Sequence, residues 1–310
     1  MTRITLPNTN LSVYPLSLGG NVFGWSADQD QSFAVLDAHR DLGGNFIDTA
    51  DVYSEWVEGN RGGESESIIG NWMSSRGGRD QVVIATKVAK LSTRAGLSRA
   101  NIIAACDDSL KRLKTDYIDL YYAHEDDQSV DLLETLSAFD ELVTAGKIRY
   151  AAASNYSGAR LSEALRVSAE NNLTSYVALQ NQYNLLERGE FETDAAPILR
   201  ERGLSALPYY ALASGFLTGK YQPGTEVDSV RAGGVSKYQN EQGWAVIAAL
   251  GEIAAEQHSS ISAVALAWLR QQDVVSTPIA SARTIQQLQE IMPIVELSVE
   301  QLSKLSSASA

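Results

Sequence analysis

Tyr117-Ile118-Asp119-Leu120-Tyr121-Tyr122 is a short apolar run; residues 130–145 follow as a helical pattern stopped by Gly146, and residues 148–153 form a second apolar run. Short runs rich in β-branched and aromatic residues read as buried parallel strands, and the longer stretch between them as a helix. Strand, helix, strand in that order is the repeating unit of a parallel sheet with helices outside it.

The unit recurs in both directions along the chain. Toward the N-terminus, strand patterns lie at Asn45-Phe46-Ile47-Asp48 and Val82-Val83-Ile84-Ala85-Thr86-Lys87, with an early one at residues 16–18. Toward the C-terminus they lie at residues 176–179, 204–207 and Val274-Val275. Helical patterns separate them: 31–42 (ending at Gly43-Gly44), one opening at Ser98, 157–171, 195–202, 262–271 and 284–292. Eight such units fit an α/β fold of the (β/α)8 TIM-barrel class. An open doubly wound sheet would carry a GxGxxG turn after its first strand; residues 17–24 lack that spacing and run into Trp25. Residues 4–18, with a turn at Pro7-Asn8-Thr9-Asn10, read as an N-terminal β-hairpin ahead of the barrel, and extra C-terminal helices are expected. No Pro, Gly or Ser tract divides the chain, so residues 1–310 read as one barrel domain.

Composition bounds the function. With 25 Lys plus Arg against 38 Asp plus Glu, the 310 residues carry a formal net charge of −13. Such a chain is a poor general binder of phosphate backbones and is repelled by anionic membrane surfaces, so neither nucleic acid nor membrane is expected as a partner. No apolar run approaches the roughly 18 residues that span a bilayer. The opening MTRITLPNTNLSVYPL has no apolar core of a secretory signal, and the expected home is the cytoplasm. A single cysteine, Cys106, excludes an intramolecular disulfide or a multi-cysteine metal site; it falls on the apolar stripe of a helix and reads as core.

In a barrel enzyme the chemistry sits at the C-terminal ends of the strands. The first polar residues at the strand exits are Asp48, Lys87, His124, Ser154-Asn155, Gln180 and Tyr209, each about one unit from the next. Taken singly, each has a plain reading: Asp48 as a turn cap, Lys87 as a solvated cation, Tyr53 as a packing residue, His124 as part of a solvated loop. Among the three histidines, His39 reads as lying on a polar helix face and His258 near a helix C-terminus. Together, Asp48, Tyr53, Lys87 and His124 make a proton-transfer device. A close ammonium favours the phenolate and lowers a tyrosine's pKa, a carboxylate holds the ammonium, and an imidazole can bond the same substrate oxygen. No nucleophile triad and no metal-ligand spacing is present, so no metal is expected.

These residues sit in segments that resemble the aldo-keto reductase family, NAD(P)H-dependent carbonyl reductases on (β/α)8 barrels. Asp48-Thr49-Ala50-Asp51-Val52-Tyr53 is similar to its D-T-A-x-x-Y segment, Ser65-Glu66 with Gly70 to the helix that follows, and Ile84-Ala85-Thr86-Lys87 to its lysine strand. Asp116-Tyr117-Ile118-Asp119-Leu120 leads to His124, and Gly146-Lys147-Ile148-Arg149 to Ser154-Asn155-Tyr156, as in the family. Gln180-Asn181-Gln182-Tyr183-Asn184 and Ser214-Gly215-Phe216-Leu217-Thr218-Gly219-Lys220 also match.

The resemblance implies an oxidoreductase moving a hydride from NADPH (NADH as the alternative) to a small-molecule aldehyde or ketone. Tyr53 would be the general acid, Lys87 held by Asp48 would lower its pKa, and His124 would orient the carbonyl. Ser154, Asn155 and Gln180 would hold the nicotinamide carboxamide and Tyr209 would stack on the ring. Leu212, Ser214, Leu217 and Lys220 would grip the pyrophosphate through backbone amides and a cation; Ser281, Arg283, Gln287 and Glu290 would take the adenosine end, with Arg283 suited to a 2′-phosphate. The sequence departs from the family at Ala152, Ala211, Ala280-Ser281 and Ile291. Phe23, Trp25 and Trp56 are expected to wall the substrate pocket, and the polar stretch 221–237 to fold over the cofactor. The oligomeric state expected is a monomer or weak homo-oligomer. The competing reading is a cofactor-sensing regulatory subunit of the same fold with little turnover.

Overall fold

The computed structural model describes residues 3–224, 227 and 232–310. Strands β1 (Ile4–Thr5) and β2 (Ser12–Val13) pair as an antiparallel hairpin. Then β3 (Ser17–Gly19), α1 (Gln29–Asp41), β4 (Phe46–Asp48), α2 (Glu64–Arg76), β5 (Val83–Val88), α3 (Arg99–Leu113) and β6 (Ile118–Ala123) alternate. The rhythm continues through α4 (Leu132–Thr144), β7 (Ile148–Ser154), α5 (Gly158–Glu170), β8 (Tyr176–Gln180), α6 (Ala196–Arg202) and β9 (Ser205–Ala206). It ends with α7 (Glu241–Glu256), α8 (Ile261–Arg270), β10 (Ile279–Ala280), α9 (Ile285–Ile291) and α10 (Val299–Ala308). Side-chain oxygens of Asp28, Ser98, Asp131 and Ser157 accept from first-turn amides of α1, α3, α4 and α5, so several helices start where an N-capping residue stands in the sequence.

The eight-stranded sheet has the order β10-β3-β4-β5-β6-β7-β8-β9, and all its pairings are parallel. Backbone bonds join its two ends: Ala206 N donates to Val274 O at 2.7 Å, Ser276 N to Ala206 O at 3.1 Å and Ile279 N to Pro208 O at 2.9 Å. The sheet therefore curls into the (β/α)8 barrel. The last strand is displaced from its expected place. Val274-Val275 supplies one bridge, to Ala206, and the strand proper is Ile279–Ala280. Ser17 N donates to Pro278 O at 3.0 Å, so pairing with β3 begins only there. Helix α7 is missing from the sequence reading because its apolar residues are spread around it and it follows a long polar stretch.

Strand residues alternate between two cores. Phe46, Val83, Ala85, Leu120, Tyr122, Ala152, Ala178, Leu207 and Ile279 share the barrel interior with Leu6, Leu11 and Val13 of the hairpin. Ile47, Ile84, Tyr121, Ala151 and Leu179, one residue out of phase, pack under the helices. The hairpin plugs the end where the strands begin: Asn8 Nδ2 donates to Gly203 O at 2.9 Å, and Tyr14 N to Asn45 Oδ1 at 2.8 Å. At Gly70 of α2 a Cβ would lie 2.1 Å from Arg112 O, so only glycine lets α2 and α3 approach this closely. His39 is buried, not on a polar face. Its Nε2 stands where a Cβ on Gly44 would be, 2.1 Å away, and burial pushes its imidazole down to about 3. Cys106 is buried and burial pushes its thiol up to about 12, which suits a core residue.

The same end of the barrel holds a charged latch. Buried Asp119 accepts from Arg79 Nη2 at 2.8 Å, Arg149 Nη1 at 2.8 Å and Ile84 N at 2.9 Å. The two guanidiniums lie 3.9 and 4.2 Å from the centroid of the Tyr117 ring. Asp119→Ala strands two arginines and an amide, and we expect it to cost about 3 kcal/mol. The urea-unfolding midpoint reads this directly; an unchanged midpoint would show that the arginines find water instead.

Candidate active site

The inward-facing row of each strand ends, one step higher, in a polar residue. Phe46 is followed two residues on by Asp48, Ala85 by Lys87, Tyr122 by His124, Ala152 by Ser154, Ala178 by Gln180 and Leu207 by Tyr209. Because side chains repeat with period two along a strand, these polar groups point into the barrel mouth. The strand-exit residues of the sequence reading are thus brought to one floor.

Lys87 is the centre of that floor and is fully buried. Its Nζ donates to Asp48 Oδ1 at 2.6 Å, to Thr49 O at 2.8 Å and to Tyr53 OH at 3.0 Å, which uses all three ammonium donors. Gln180 Nε2 donates to the other Asp48 oxygen at 3.0 Å. Tyr53 reaches the floor from the loop after β4, with its hydroxyl 3.5 Å from Asp48 Oδ1. His124 packs edge-on to Tyr53 with ring centroids 6.1 Å apart.

The electrostatics differ from expectation at one position. Burial first, and the Asp48 carboxylate second, push the Tyr53 phenol well above its usual value, so the resting hydroxyl keeps its proton. The neighbouring ammonium does not reverse this, because Asp48 already compensates its charge. Burial draws Lys87 below its usual value, against the pull of Asp48. Burial, then the charges of Lys87 and Lys90, push His124 well below its usual value, so the imidazole is neutral at pH 7. Asp51, two residues before Tyr53, is buried, and neither of its side-chain oxygens has a hydrogen-bond partner among the described residues. Burial and Glu66 push its carboxyl up to about 8, so it too is neutral.

A cleft of about 830 Å³ runs from this floor along the strand ends to α9. Tyr53, Trp56, Lys90 and His124 line one end; Ser281, Arg283, Gln287 and Glu290 line the other; Leu212, Ser214 and Lys220 lie between. The middle is cross-braced. Ser154 Oγ donates to Gln180 O at 2.8 Å, Asn155 Nδ2 to His124 O at 2.8 Å and Tyr209 OH to Asn155 Oδ1 at 2.7 Å. Ala213 and Ser214 adopt left-handed backbone at φ 48° and 57° beside Gly215 at 94°, and the amides of Ala213 and Gly215 turn back to Tyr210 O and Leu212 O at 2.7 and 2.8 Å. Three cations, Lys90, Lys220 and Arg283, along an elongated cleft suit an extended ligand with anionic groups, as a dinucleotide has.

Some expected residues lie elsewhere. The Phe23 ring is buried in the core and does not line the cleft; its carbonyl accepts from Ser54 Oγ at 2.7 Å. The Leu217 side chain is buried in the core, and its backbone amide, the group expected to meet the pyrophosphate, donates to Leu212 O at 3.2 Å. Trp25 does not line the cleft but stands edge-on behind Trp56, 5.6 Å between centroids. Arg283 lines the cleft, and its backbone amide donates to Gln287 Oε1 at 2.9 Å. Within 221–237, residues 225, 226 and 228–231 lie outside the described residues, so the proposed cover over the cofactor is described only in part. Lys90, Asn181 and Tyr210 escaped the sequence reading. Asn181 Oδ1 accepts from Asn155 N at 2.8 Å, and Lys90 and Tyr210 line the cleft. A rule that takes the first polar residue after each strand passes over the second and third.

The sequence pattern of the Aldo/keto reductase family matches residues 15–310. Protein tas of Escherichia coli (strain K12) is 32% identical over 324 residues, spanning 96% of this chain and 93% of that protein. An uncharacterized oxidoreductase of Bacillus subtilis (strain 168), YrpG, is 34% identical over 307 residues, 95% of this chain and 91% of that one. An aryl-alcohol dehydrogenase [NADP(+)] of Phanerodontia chrysosporium is 30% identical over 324 residues, 96% of this chain and 82% of that one. Among the described residues no helix is long and apolar enough to cross a membrane. The barrel, the residues gathered at its mouth and these likenesses over nearly the full length agree: the chain belongs to the aldo/keto reductase family.

Proposed function

We propose that the protein reduces an aldehyde or ketone to an alcohol with NADPH, Tyr53 serving as general acid. The observation that carries this reading is the Lys87 ammonium, buried and shared between Asp48 at 2.6 Å and the Tyr53 hydroxyl at 3.0 Å. Bound in the cleft, the nicotinamide would supply the hydride that a carbonyl carbon needs. The chain's own part is the proton. Tyr53 accepts a bond from Lys87, and its own proton has only a long contact, 3.5 Å, with Asp48 Oδ1, which a substrate oxygen would replace. Burial keeps that proton in place until negative charge develops on the oxygen. As it transfers, the phenolate forms against a fixed ammonium in a site closed to bulk water, where the attraction is strong.

His124 assists as a neutral donor. Its Nδ1 is buried with no partner among the described residues. An N–H buried without an acceptor is costly, so the favoured tautomer carries hydrogen on Nε2, the nitrogen left to bond the carbonyl oxygen. Ser154, Asn155 and Gln180 would hold the carboxamide, and Tyr209, anchored through its hydroxyl to Asn155, would back the ring. Lys220 and Arg283 provide local positive charge for phosphates in a chain whose net charge is −13.

Tyr53→Phe keeps the ring and removes the acid. Reduction of an aromatic aldehyde should fall about 10²- to 10⁴-fold while NADPH still binds. Wild-type binding of NADPH without turnover across varied carbonyls would instead favour the sensory reading. The pH profile tests the charges. Tyr53 is raised and stays protonated, so the alkaline loss of rate should follow Lys87, whose lowered value places that limb below its usual position near 10.5. His124 is neutral throughout, so no inflection is expected near pH 6.5. An inflection there in kcat/KM would show that His124 titrates in the working enzyme. Arg283→Met should raise the KM for NADPH about tenfold and leave that for NADH unchanged; equal effects on both would remove Arg283 from 2′-phosphate recognition.

A further inference from the structure

What the site accepts is a further question, and its answer here rests on the reductase reading above. The proton-transfer end of the cleft is walled by aromatic rings. Trp56 is 51% exposed. It stands edge-on to Tyr53, 6.2 Å between centroids, and is backed by Trp25. Tyr210, also half exposed, lines the same cleft. An exposed indole held by a second indole costs apolar exposure that a planar guest would relieve.

Lys90 lies at this end, two residues past β5 and three past Lys87. Its charge is felt at the His124 imidazole. Unlike Lys87, whose one ion pair is buried and short, it has its one ion pair among the described residues with Glu125 Oε2 at 3.5 Å, and both side chains are open to water. That distance is too long for a good hydrogen bond, and such an exposed pair is weak. Glu125 does not line the cleft, whereas Lys90 does. Lys220 and Arg283, the other lysine and arginine lining the cleft among the described residues, lie toward its middle and far end and suit phosphates. Lys90 is therefore a cation with spare capacity beside the reacting carbonyl. With a net charge of −13, the protein as a whole repels anions, so an anionic group brought there must be held by this local charge.

We propose that the site selects carbonyl compounds bearing both an aromatic ring and an anionic substituent, the ring lying against Trp56 and the anion on Lys90. Lys90 is then a specificity-determining residue, and the proton transfer itself is unchanged.

The test compares 3-carboxybenzaldehyde with its methyl ester, which keeps the ring and the aldehyde and removes the charge. Wild type should show a roughly three- to tenfold higher kcat/KM for the acid, carried in KM, and the advantage should shrink as salt rises. Lys90→Met should bring the ratio close to one. The same preference is read without turnover by titrating tryptophan fluorescence with benzoate against benzamide, with and without NADP+. Failure to reduce even the methyl ester would count against the reductase reading alone. Equal wild-type values for charged and neutral compounds in both assays, or a preference that survives Lys90→Met, would overturn this proposal.

Discussion

A charged ammonium with no access to water is the constraint around which the molecule is organised. Removing Lys87 and Asp48 from solvent costs several kcal/mol per ion, and the attraction between them offsets this only when every remaining donor and acceptor is used. Here they are. Lys87 spends its donors on Asp48, Thr49 and Tyr53, and Asp48 gives its second oxygen to Gln180. Those partners come from β4, the loop after it, β5 and β8, which are distant in sequence. The site therefore exists only when the barrel is closed and its floor is dry.

The layers beneath supply that dryness. The hairpin residues Leu6, Leu11 and Val13 plug the lower end, and Phe46, Val83, Leu120 and Leu207 fill the interior between plug and floor. Charge at the two ends has different work. At the strand starts, Asp119 is satisfied by Arg79, Arg149 and a backbone amide, which makes it a device for stability. At the strand ends, the Tyr53 proton has only a long contact, 3.5 Å, with Asp48 Oδ1, so bonding capacity is left for a guest.

Backbone strain gathers at the same mouth. Asn155, Tyr210, Ala213 and Ser214 all have positive φ, at 57°, 50°, 48° and 57°. Outside glycine this costs on the order of 1 kcal/mol per residue and persists only where surroundings enforce it. The surroundings are visible: Asn155 is bonded from both ends of its side chain, and Asn184 Nδ2 donates to Tyr210 O at 3.0 Å. Asn155, Tyr210 and Ser214 line the cleft, so the enforcement there serves the binding surface.

Much of this was legible from residues alone, for a simple reason. Strand periodicity is local, and an inward-facing position stays inward wherever the strand sits, so Asp48, Lys87, His124, Ser154, Gln180 and Tyr209 could be read from the ends of apolar runs. Tyr53, in a loop, needed the D-T-A-x-x-Y resemblance. What depends on distant partners was not legible. Val274-Val275 has the composition of a strand, but ring closure puts the strand at Ile279–Ala280. Phe23 looked like a pocket wall and His39 like a surface residue, yet both are buried. The Tyr53 phenol shifts upward, opposite to what the adjacent ammonium alone implies, because burial and the Asp48 carboxylate outweigh that ammonium. By itself the sequence determined which residues could do the chemistry and on which face of each strand they lie, because pattern and side-chain type are local properties. Only the tertiary structure decided which of them share water-free space, because desolvation and long-range pairing arise between segments a hundred residues apart.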